Sequence, residues 1–265
     1  MHMQQEVIQA LRQKNRLVVL FSGGLDSTLL ARLAFDALGA GAVALTIESP
    51  VVPKKELENA KLYARQIGIR HEIIDVDETL DAEFIKNPPH RCYICRKLRD
   101  AAARDWADTY QFKHLADGMN ITDLDDYRPG LRAAEEDGIW HPFIEFALTK
   151  DDIREQARRL GLSGWNSEPT VGLCSRFAYG YPISKEKLNR VEKAEDYLKE
   201  LGLADVRVRC FPYEVALVEV REPEAAVRQR GRIVALLKHL GFSFVALDLE
   251  GFSSGRMHRT MPDNT

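Results

Sequence analysis

Leu17-Val18-Val19-Leu20-Phe21 runs straight into Ser22-Gly23-Gly24-Leu25-Asp26-Ser27-Thr28 and on into Leu29-Leu30-Ala31-Arg32-Leu33-Ala34. An apolar run that ends in two glycines and continues with helical periodicity predicts a strand, a tight turn and a helix. Such a turn lines up backbone N–H groups at a helix N-terminus, where they and the helix dipole favour an anion. The stretch lacks the GxxxxGK[ST] spacing and its lysine, which excludes the phosphate loop of kinases and GTPases. The hydroxyls of Ser22, Ser27 and Thr28 add donors, and the Asp26 carboxylate could orient a Mg²⁺ ion on a phosphate. A Gly-Gly turn by itself is as often plain strand-to-helix geometry. Four polar side chains in the seven residues from Ser22 to Thr28 exceed what a turn requires.

The same alternation continues along the chain. Strand-like runs at 17–21, 42–47, 71–76 and 113–116 are separated by helical patterns at 27–38, 54–67 and 93–110. This predicts an α/β fold, a parallel sheet wound by helices. Ligands of such sheets bind beyond the carboxyl ends of the strands. The loop from Phe21 to Thr28, the segment Thr46-Ile47-Glu48-Ser49-Pro50 and the segment Asp117-Gly118-Met119-Asn120 all fall there and would converge on one nucleotide. Thr149 is the expected N-cap of a further helix that ends at Leu160, with acids in its first turn. After Tyr179-Gly180-Tyr181-Pro182 the period changes to a helix over 185–201, strands at 206–211 and 214–220, a helix over 223–240 and a strand at 243–249. The expected organisation is a sheet domain over 1–182, a smaller α+β domain over 183–256 and a loose polar tail over 257–265.

A chain of 265 residues can hold two domains, each with its own core. Its 37 basic and 40 acidic side chains are scattered and leave a net charge of −3, which argues against a nucleic-acid surface and for a small-molecule substrate. No apolar segment approaches the roughly 20 residues needed to span a bilayer, and Met1-His2-Met3-Gln4-Gln5 has no signal-peptide pattern, so a cytoplasmic location is expected. In a reducing compartment four cysteines suggest metal binding or catalysis rather than disulfides.

Cys92 and Cys95 stand at CxxC spacing behind the stiff Asn87-Pro88-Pro89, with Arg91 and Arg96 expected to favour thiolates. Cys174 is a third thiol, and two close thiols with a distant third suit a [4Fe-4S] cluster that leaves one iron open to sulfide. A buried or redox-active CxxC, or zinc with Cys210 as a fourth ligand, would use the same residues. Cys210 alone reads as a core thiol. His71, His90, His114 and His141 show no metal-binding spacing and read as surface or satisfied polar residues. Arg207 and Arg209 share a strand face at period two, either a phosphate clamp or a solvated edge, and Glu195, Glu219 and Asp248 carry the same ambiguity.

The first loop resembles the SGGxDS pyrophosphate loop of ATP pyrophosphatases, which cleave ATP between the α and β phosphates and pass AMP to a substrate oxygen. Several blocks together resemble the LarE family of ATP-dependent sulfur transferases, which build the nickel-pincer cofactor of lactate racemase. They are Asn87-Pro88-Pro89-His90-Arg91-Cys92-Tyr93-Ile94-Cys95, Asp117-Gly118-Met119-Asn120, Asp126-Tyr127-Arg128-Pro129-Gly130, Leu148-Thr149-Lys150, Ser175-Arg176-Phe177-Ala178-Tyr179-Gly180 and Leu247-Asp248-Leu249-Glu250-Gly251-Phe252. The resemblance implies a PP-loop ATP pyrophosphatase fold and adenylation of the carboxylates of pyridinium-3,5-dicarboxylate mononucleotide, followed by displacement of AMP by sulfur. It implies ATP and Mg²⁺, with Phe21, Ser22, Gly23, Gly24, Asp26, Ser27, Thr28, Thr46, Ile47 and Gly118 at the nucleotide. Cys174, Asp26 and Arg176 are the implied catalytic residues, Arg207 and Arg209 the implied ligands of the substrate phosphate, and a homo-oligomer the implied assembly.

In the family's better-known branch a cysteine within P-x-x-A-C-L-x-S-R gives up its own sulfur. Here Pro169-Thr170-Val171-Gly172-Leu173-Cys174-Ser175-Arg176 is one residue shorter, and Cys174 abuts Ser175. With Cys92 and Cys95 it resembles instead the iron–sulfur branch, in which three thiolates hold a [4Fe-4S] cluster that carries a sulfide taken from a donor. Leu217 stands where the family usually has arginine. Sacrificial transfer from Cys174, a tRNA thiolase, an amide-forming synthetase and a non-enzymatic nucleotide sensor are the competing readings. The first thiolase requirement, a basic tract for a phosphate backbone, is missing from the sequence.

Overall fold

The computed structural model describes residues 2–125, 129–164, 171–253 and 256–260. The Asp126-Tyr127-Arg128 part of the third family block, and Pro169-Thr170 before Cys174, lie outside these residues. Packing separates the chain into two compact units, Met1–Val76 with Cys92–Thr170, and Asp77–Arg91 with Val171–Thr265. The expected boundary at 182 followed the change of periodicity. Packing divides the chain elsewhere because residues 77–91 pair with the later segment, as described below.

In the first unit α1 (His2–Gln13) leads to β1 (Leu17–Leu20), α2 (Leu25–Leu38), β2 (Ala42–Glu48), α3 (Lys54–Ile67) and β3 (Arg70–Asp75). The chain returns with α4 (Arg91–Thr109), β4 (Leu115–Ala116), α5 (Pro129–Glu136), α6 (Pro142–Glu145) and α7 (Lys150–Arg159). The sheet order is β3-β2-β1-β4, every pairing parallel, with Val18 level with both Val43 and Leu115. Alternation in β1 decides the layers. Leu17 and Val19 join Leu29, Leu30, Leu33, Ile153 and Ala157 on one face. Val18 joins Val43, Leu45, Ala103, Ala107 and Phe112 on the other. Both faces of a parallel sheet must be covered, which is why β1 is apolar at every position. Each large side chain so buried contributes about 1.5–3 kcal/mol.

The second unit contains α8 (Lys185–Glu200), β5 (Arg207–Phe211), β6 (Val215–Glu219), α9 (Pro223–Arg228), α10 (Arg230–His239) and β7 (Phe244–Leu247). β6 is central, antiparallel to β5 and parallel to β7, so the sheet is mixed. The expected helix over 223–240 is two helices: Gln229 leaves helical geometry (φ −106°, ψ 12°) and its side-chain amide donates to the Leu201 carbonyl at 3.0 Å. The expected loose tail is anchored where it is described. Met257 is buried and the Tyr179 N–H donates to Thr260 Oγ1 at 3.2 Å.

Residues 77–91 are held in this unit by Asn87, which is fully buried with φ 55°. Its Nδ2 is shared among the carbonyls of Ala178 (2.7 Å), Tyr181 (3.2 Å) and Phe177 (3.4 Å), and its Oδ1 accepts from Arg91 Nη1 at 2.7 Å. The backbone joins in, with Gly180 N–H donating to the Asn87 carbonyl and Ile183 N–H to that of Ile85. Removing one side chain therefore strands several buried polar groups, each costly to leave unpaired. Asn87→Ala should lower the unfolding free energy by about 2–4 kcal/mol, read by urea titration; a loss under about 0.5 kcal/mol would show that the strap is held by other contacts.

Candidate active site

The phosphate loop is built as the sequence pattern requires, with one correction. α2 begins at Leu25 rather than at Ser27, so Asp26, Ser27 and Thr28 occupy its first turn. Gly24 serves as N-cap in an extended conformation (φ −77°, ψ 166°), and no side chain caps the helix. The first N–H groups of α2 are thus left for an anion. Ser22 Oγ accepts the Gly24 N–H at 3.2 Å and lies 3.1 Å from Ser27 Oγ, which in turn is 3.1 Å from the Gly24 carbonyl. Gly23 has φ +75°, and a Cβ there would stand 2.6 Å from the Ala60 amide nitrogen. No other residue fits both constraints. Thr28 Oγ1 is buried and has no hydrogen-bond partner among the described residues.

The next two strand ends meet this loop. Thr46 Oγ1 donates to the Phe21 carbonyl at 2.6 Å and so receives the His71 Nε2 proton at 2.8 Å. Burial, helped by Lys61, lowers the His71 pKa, in keeping with a neutral ring that donates. Ile47 follows in β2, paired with Ile74 of β3. Beyond β4, Gly118 packs on the loop's own backbone: a Cβ there would lie 2.7 Å from the Asp26 carbonyl carbon and 2.8 Å from the Ser27 nitrogen. The structure thus brings together Phe21, the 22–28 loop, Thr46 and Gly118 within the first unit.

It adds a residue that the reading of site residues missed. Lys150, at the start of α7, donates to both Asp26 oxygens at 2.7 and 2.6 Å. The Thr149–Asp152 capping box fixes that helix start, and Lys150 N–H donates to Thr122 Oγ1 at 3.1 Å. Burial raises the Asp26 pKa despite Lys150, so the ionised carboxylate is a net cost that a cation relieves. The signal is in the sequence: Lys150 belongs to the block Leu148-Thr149-Lys150, but nothing local in that block points to Asp26, 124 residues away.

In the second unit the arginines are not a solvated edge. Arg176 is 2% exposed and its guanidinium pairs both Glu195 oxygens at 2.9 and 3.1 Å, while Nη1 donates to the Val171 carbonyl and Ser175 Oγ. Glu195 also accepts the Val208 N–H at 3.0 Å. Arg209 is likewise buried against Glu219 at 3.0 and 2.8 Å, and Arg256 pairs with Asp248. Breaking such a buried pair from one side costs about 3–5 kcal/mol. Arg176 therefore fixes the turn that carries Cys174, which is 9% exposed. Arg207 differs: half-buried over the Phe252 ring at 5.1 Å, it donates to the Val206 carbonyl and has no carboxylate partner among the described residues. Burial and the nearby Arg176 lower its pKa. Three arginines against two glutamates leave this cluster one positive charge in excess, as an anion site requires.

None of the four cysteines is in a disulfide. Cys92 and Cys95 lie three residues apart in the first turn of α4, Cys92 exposed and Cys95 partly so. Their basic neighbours are committed elsewhere: Arg91 to Asn87 and the Tyr179 ring, Arg96 to Asp100 and Asp117. Among the described residues no group of three or more His, Cys, Asp or Glu side chains is placed to hold a metal ion, and no helix is long and apolar enough to cross a membrane. Cys210 is 1% exposed in β5, as expected of a core thiol.

A parallel sheet with Ser-Gly-Gly-Leu-Asp-Ser at the first strand-to-helix turn defines the class of ATP-using PP-loop enzymes, and residues 2–100 match the NAD synthase family model. The chain is 39% identical over 253 residues to an uncharacterised protein of Synechocystis sp., covering 93% of each chain. It is 35% identical over 260 residues to the pyridinium-3,5-bisthiocarboxylic acid mononucleotide synthase of Lactiplantibacillus plantarum, covering 96% of this chain and 93% of that one. An NH3-dependent NAD+ synthetase of Pyrococcus horikoshii is 35% identical over 85 residues, about a third of each chain (31% and 32%). The chain belongs to the LarE family, that of the L. plantarum synthase.

Burial pushes the Cys210 thiol up to about 12, so it stays protonated throughout the neutral range. Iodoacetamide at about pH 8 should therefore alkylate exposed Cys92 and spare Cys210 in the native protein. Equal labelling of the two before unfolding would contradict this placement.

Proposed function

We propose that this chain is an ATP-dependent sulfurtransferase acting on a pyridinium dicarboxylate mononucleotide. The observation that carries the reading is the loop at 22–28, with uncapped helix N–H groups, three hydroxyls and Asp26, in a chain that matches a bisthiocarboxylic acid mononucleotide synthase along nearly its whole length. A substrate carboxylate oxygen attacks the α phosphorus of ATP, the α–β bridge bond breaks and pyrophosphate leaves. Sulfide then attacks the acyl carbon, the bond to the AMP oxygen breaks, and a thiocarboxylate, AMP and a proton result. Repetition gives the dithio product. A carboxylate is a poor electrophile, and AMP is a far better leaving group than oxide.

In this reading the amides at the start of α2 with Ser22, Ser27 and Thr28 hold the charge that develops on pyrophosphate. Asp26 would hold Mg²⁺, which would supply charge neutralisation at the phosphates, and Lys150, beside Asp26, would serve as a cation for a phosphate oxygen. Phe21, Gly23, Gly24, Thr46, Ile47 and Gly118 shape the nucleotide's surroundings. Arg207, with Arg209 behind it, takes the substrate phosphate. Arg176 acts by holding the Cys174 turn rather than by touching substrate, since its donors are already engaged.

For the sulfur source, Cys92, Cys95 and Cys174 would be the ligands of a [4Fe-4S] cluster, although the described residues do not bring three such side chains together. Such a cluster would supply the sulfide that displaces AMP. Support for it is the donor set, three thiols outside any disulfide, together with the altered spacing before Cys174. Anaerobic purification with iron and sulfide analysis tests it: about four irons per chain is the expectation. Absence of iron after reconstitution, with a loss of H2S from Cys174 in the mass after turnover, would return the role to a sacrificial Cys174.

The match of the first hundred residues to NAD synthase favours one second reading, an amide-forming synthetase in which ammonia attacks the adenylate. Replacing Cys92, Cys95 and Cys174 by Ala would then spare product formation, whereas the sulfurtransferase loses it. Asp26→Asn separates chemistry from folding. Because burial raises the Asp26 pKa, folding is favoured most below the carboxylate range and loses that contribution as pH rises through the folded value. The Asn variant should thus be at least as stable at neutral pH, yet release pyrophosphate about 100-fold more slowly. Unchanged release would remove Asp26 from the mechanism.

A further inference from the structure

A buried chain of charge runs from α4 to the loop after β4 and ends on a residue that the proposed reaction does not use. Arg96 Nε donates to Asp100 Oδ2 at 2.6 Å and its Nη2 to Asp117 Oδ2 at 2.7 Å. On the other side, His141 Nδ1 lies 2.6 Å from Asp117 Oδ1. Burial alone would push the Asp117 carboxyl up, but His141 and Arg96 hold it below the usual carboxylate range. Asp117 accepts at both oxygens, from Arg96 and from His141 Nδ1. His141 Nε2 is buried and has no partner among the described residues.

The ring is not placed by accident of packing. Pro142 keeps His141 out of the helical region (φ −114°, ψ 77°), and the Trp140 carbonyl accepts the Asp117 N–H at 3.1 Å, so the two segments are in register. The oxygen that His141 holds also accepts the Met119 N–H at 3.1 Å. That bond closes an Asx turn around Gly118, the residue whose Cα packs on the backbone of Asp26 and Ser27. Asp117 Oδ2 is fixed separately by Arg96. Oδ1 shapes the turn, and the His141 side chain is the one that holds this oxygen directly.

We propose that His141 and Asp117 are positioning residues for the nucleotide: the imidazole clamps the carboxylate oxygen that closes the turn at Gly118, and the turn braces the first N–H groups of α2. The clamp rests on the nucleotide reading of the 22–28 loop. It touches neither ATP nor the reacting atoms, and acts through backbone placement alone.

Calorimetric titration of the full chain with Mg²⁺-ATP, in parallel with the unfolding midpoint of the nucleotide-free protein, tests it. His141→Asn puts an amide N–H where Nδ1–H stands, and should bind ATP within about twofold of the natural protein. His141→Leu keeps the bulk but loses the donor, and should bind about tenfold more weakly, with an unfolding midpoint close to that of the Asn variant. Equal binding by the Leu variant and the natural protein, or equal weakening of the Asn and Leu variants, overturns the clamp. Should the Leu variant fail to fold, His141→Met, which also lacks the donor, carries the same expectation, and natural affinity in it overturns the clamp as well. Failure of the natural protein to bind ATP overturns the nucleotide reading, an outcome distinct from a clamp that fails in a protein that binds.

Discussion

Backbone approaching backbone is the constraint on which the site depends. At Gly23 and again at Gly118 the space for a Cβ is filled by main-chain atoms of α3 and of the start of α2, at 2.6 and 2.7 Å. The first seats the end of β1 on α3, the second seats the loop after β4 on the start of α2, and the other contacts at the loop are made within that frame. The hydroxyls of Ser22 and Ser27 bond within the turn, Thr46 ties β2 to Phe21, and Lys150 reaches Asp26 from α7. An anion-binding terminus is cheap to make. Bracing it from two sides with glycine contacts keeps its N–H groups fixed before any ligand arrives, and so lowers the ordering cost of binding.

The second unit solves a different problem, keeping charge buried without leaving it unpaired. Glu195 and Glu219 each take a guanidinium bidentately, and Glu195 also takes a backbone N–H. Such pairs add little net stability compared with apolar packing, but they fix geometry. Arg207 is left over, aligned on the same strand face as Arg209 and stacked on Phe252. The fold thus holds one guanidinium against its tendency to be neutralised within the protein.

Much of this was legible in the sequence, and the reasons differ by element. The strands of the parallel sheet announced themselves because burial on both faces demands continuous apolar runs, as in Leu17–Leu20. The capped start of α7 was written in Thr149 and Asp152. The loop at 22–28 was legible because phosphate geometry needs small residues and hydroxyls close together. What escaped depends on long-range pairing. Nothing local in Arg207 and Arg209 separates a solvated edge from buried pairs, since Glu195 and Glu219 approach from another helix and another strand. His141 matched no motif, because its partner Asp117 is 24 residues away. Periodicity placed a boundary at 182, whereas the strap at 77–91 is defined by hydrogen bonds from Asn87 to residues some 90 positions later.

That strap bears on the order in which the chain acquires its structure. Residues 77–91 leave the ribosome before their packing partners, which begin at Val171 after the 79 residues from 92 to 170. During that interval the carbonyl acceptors of the Asn87 amide do not yet exist. The first unit, too, is incomplete until the second of its two segments has been made. The first unit can therefore acquire its structure once residue 170 has been made, whereas the second, with the strap, waits for the rest of the chain. Closure of the second unit waits on late translation, and the high sequence separation of the strap's contacts makes that closure the slow step of maturation.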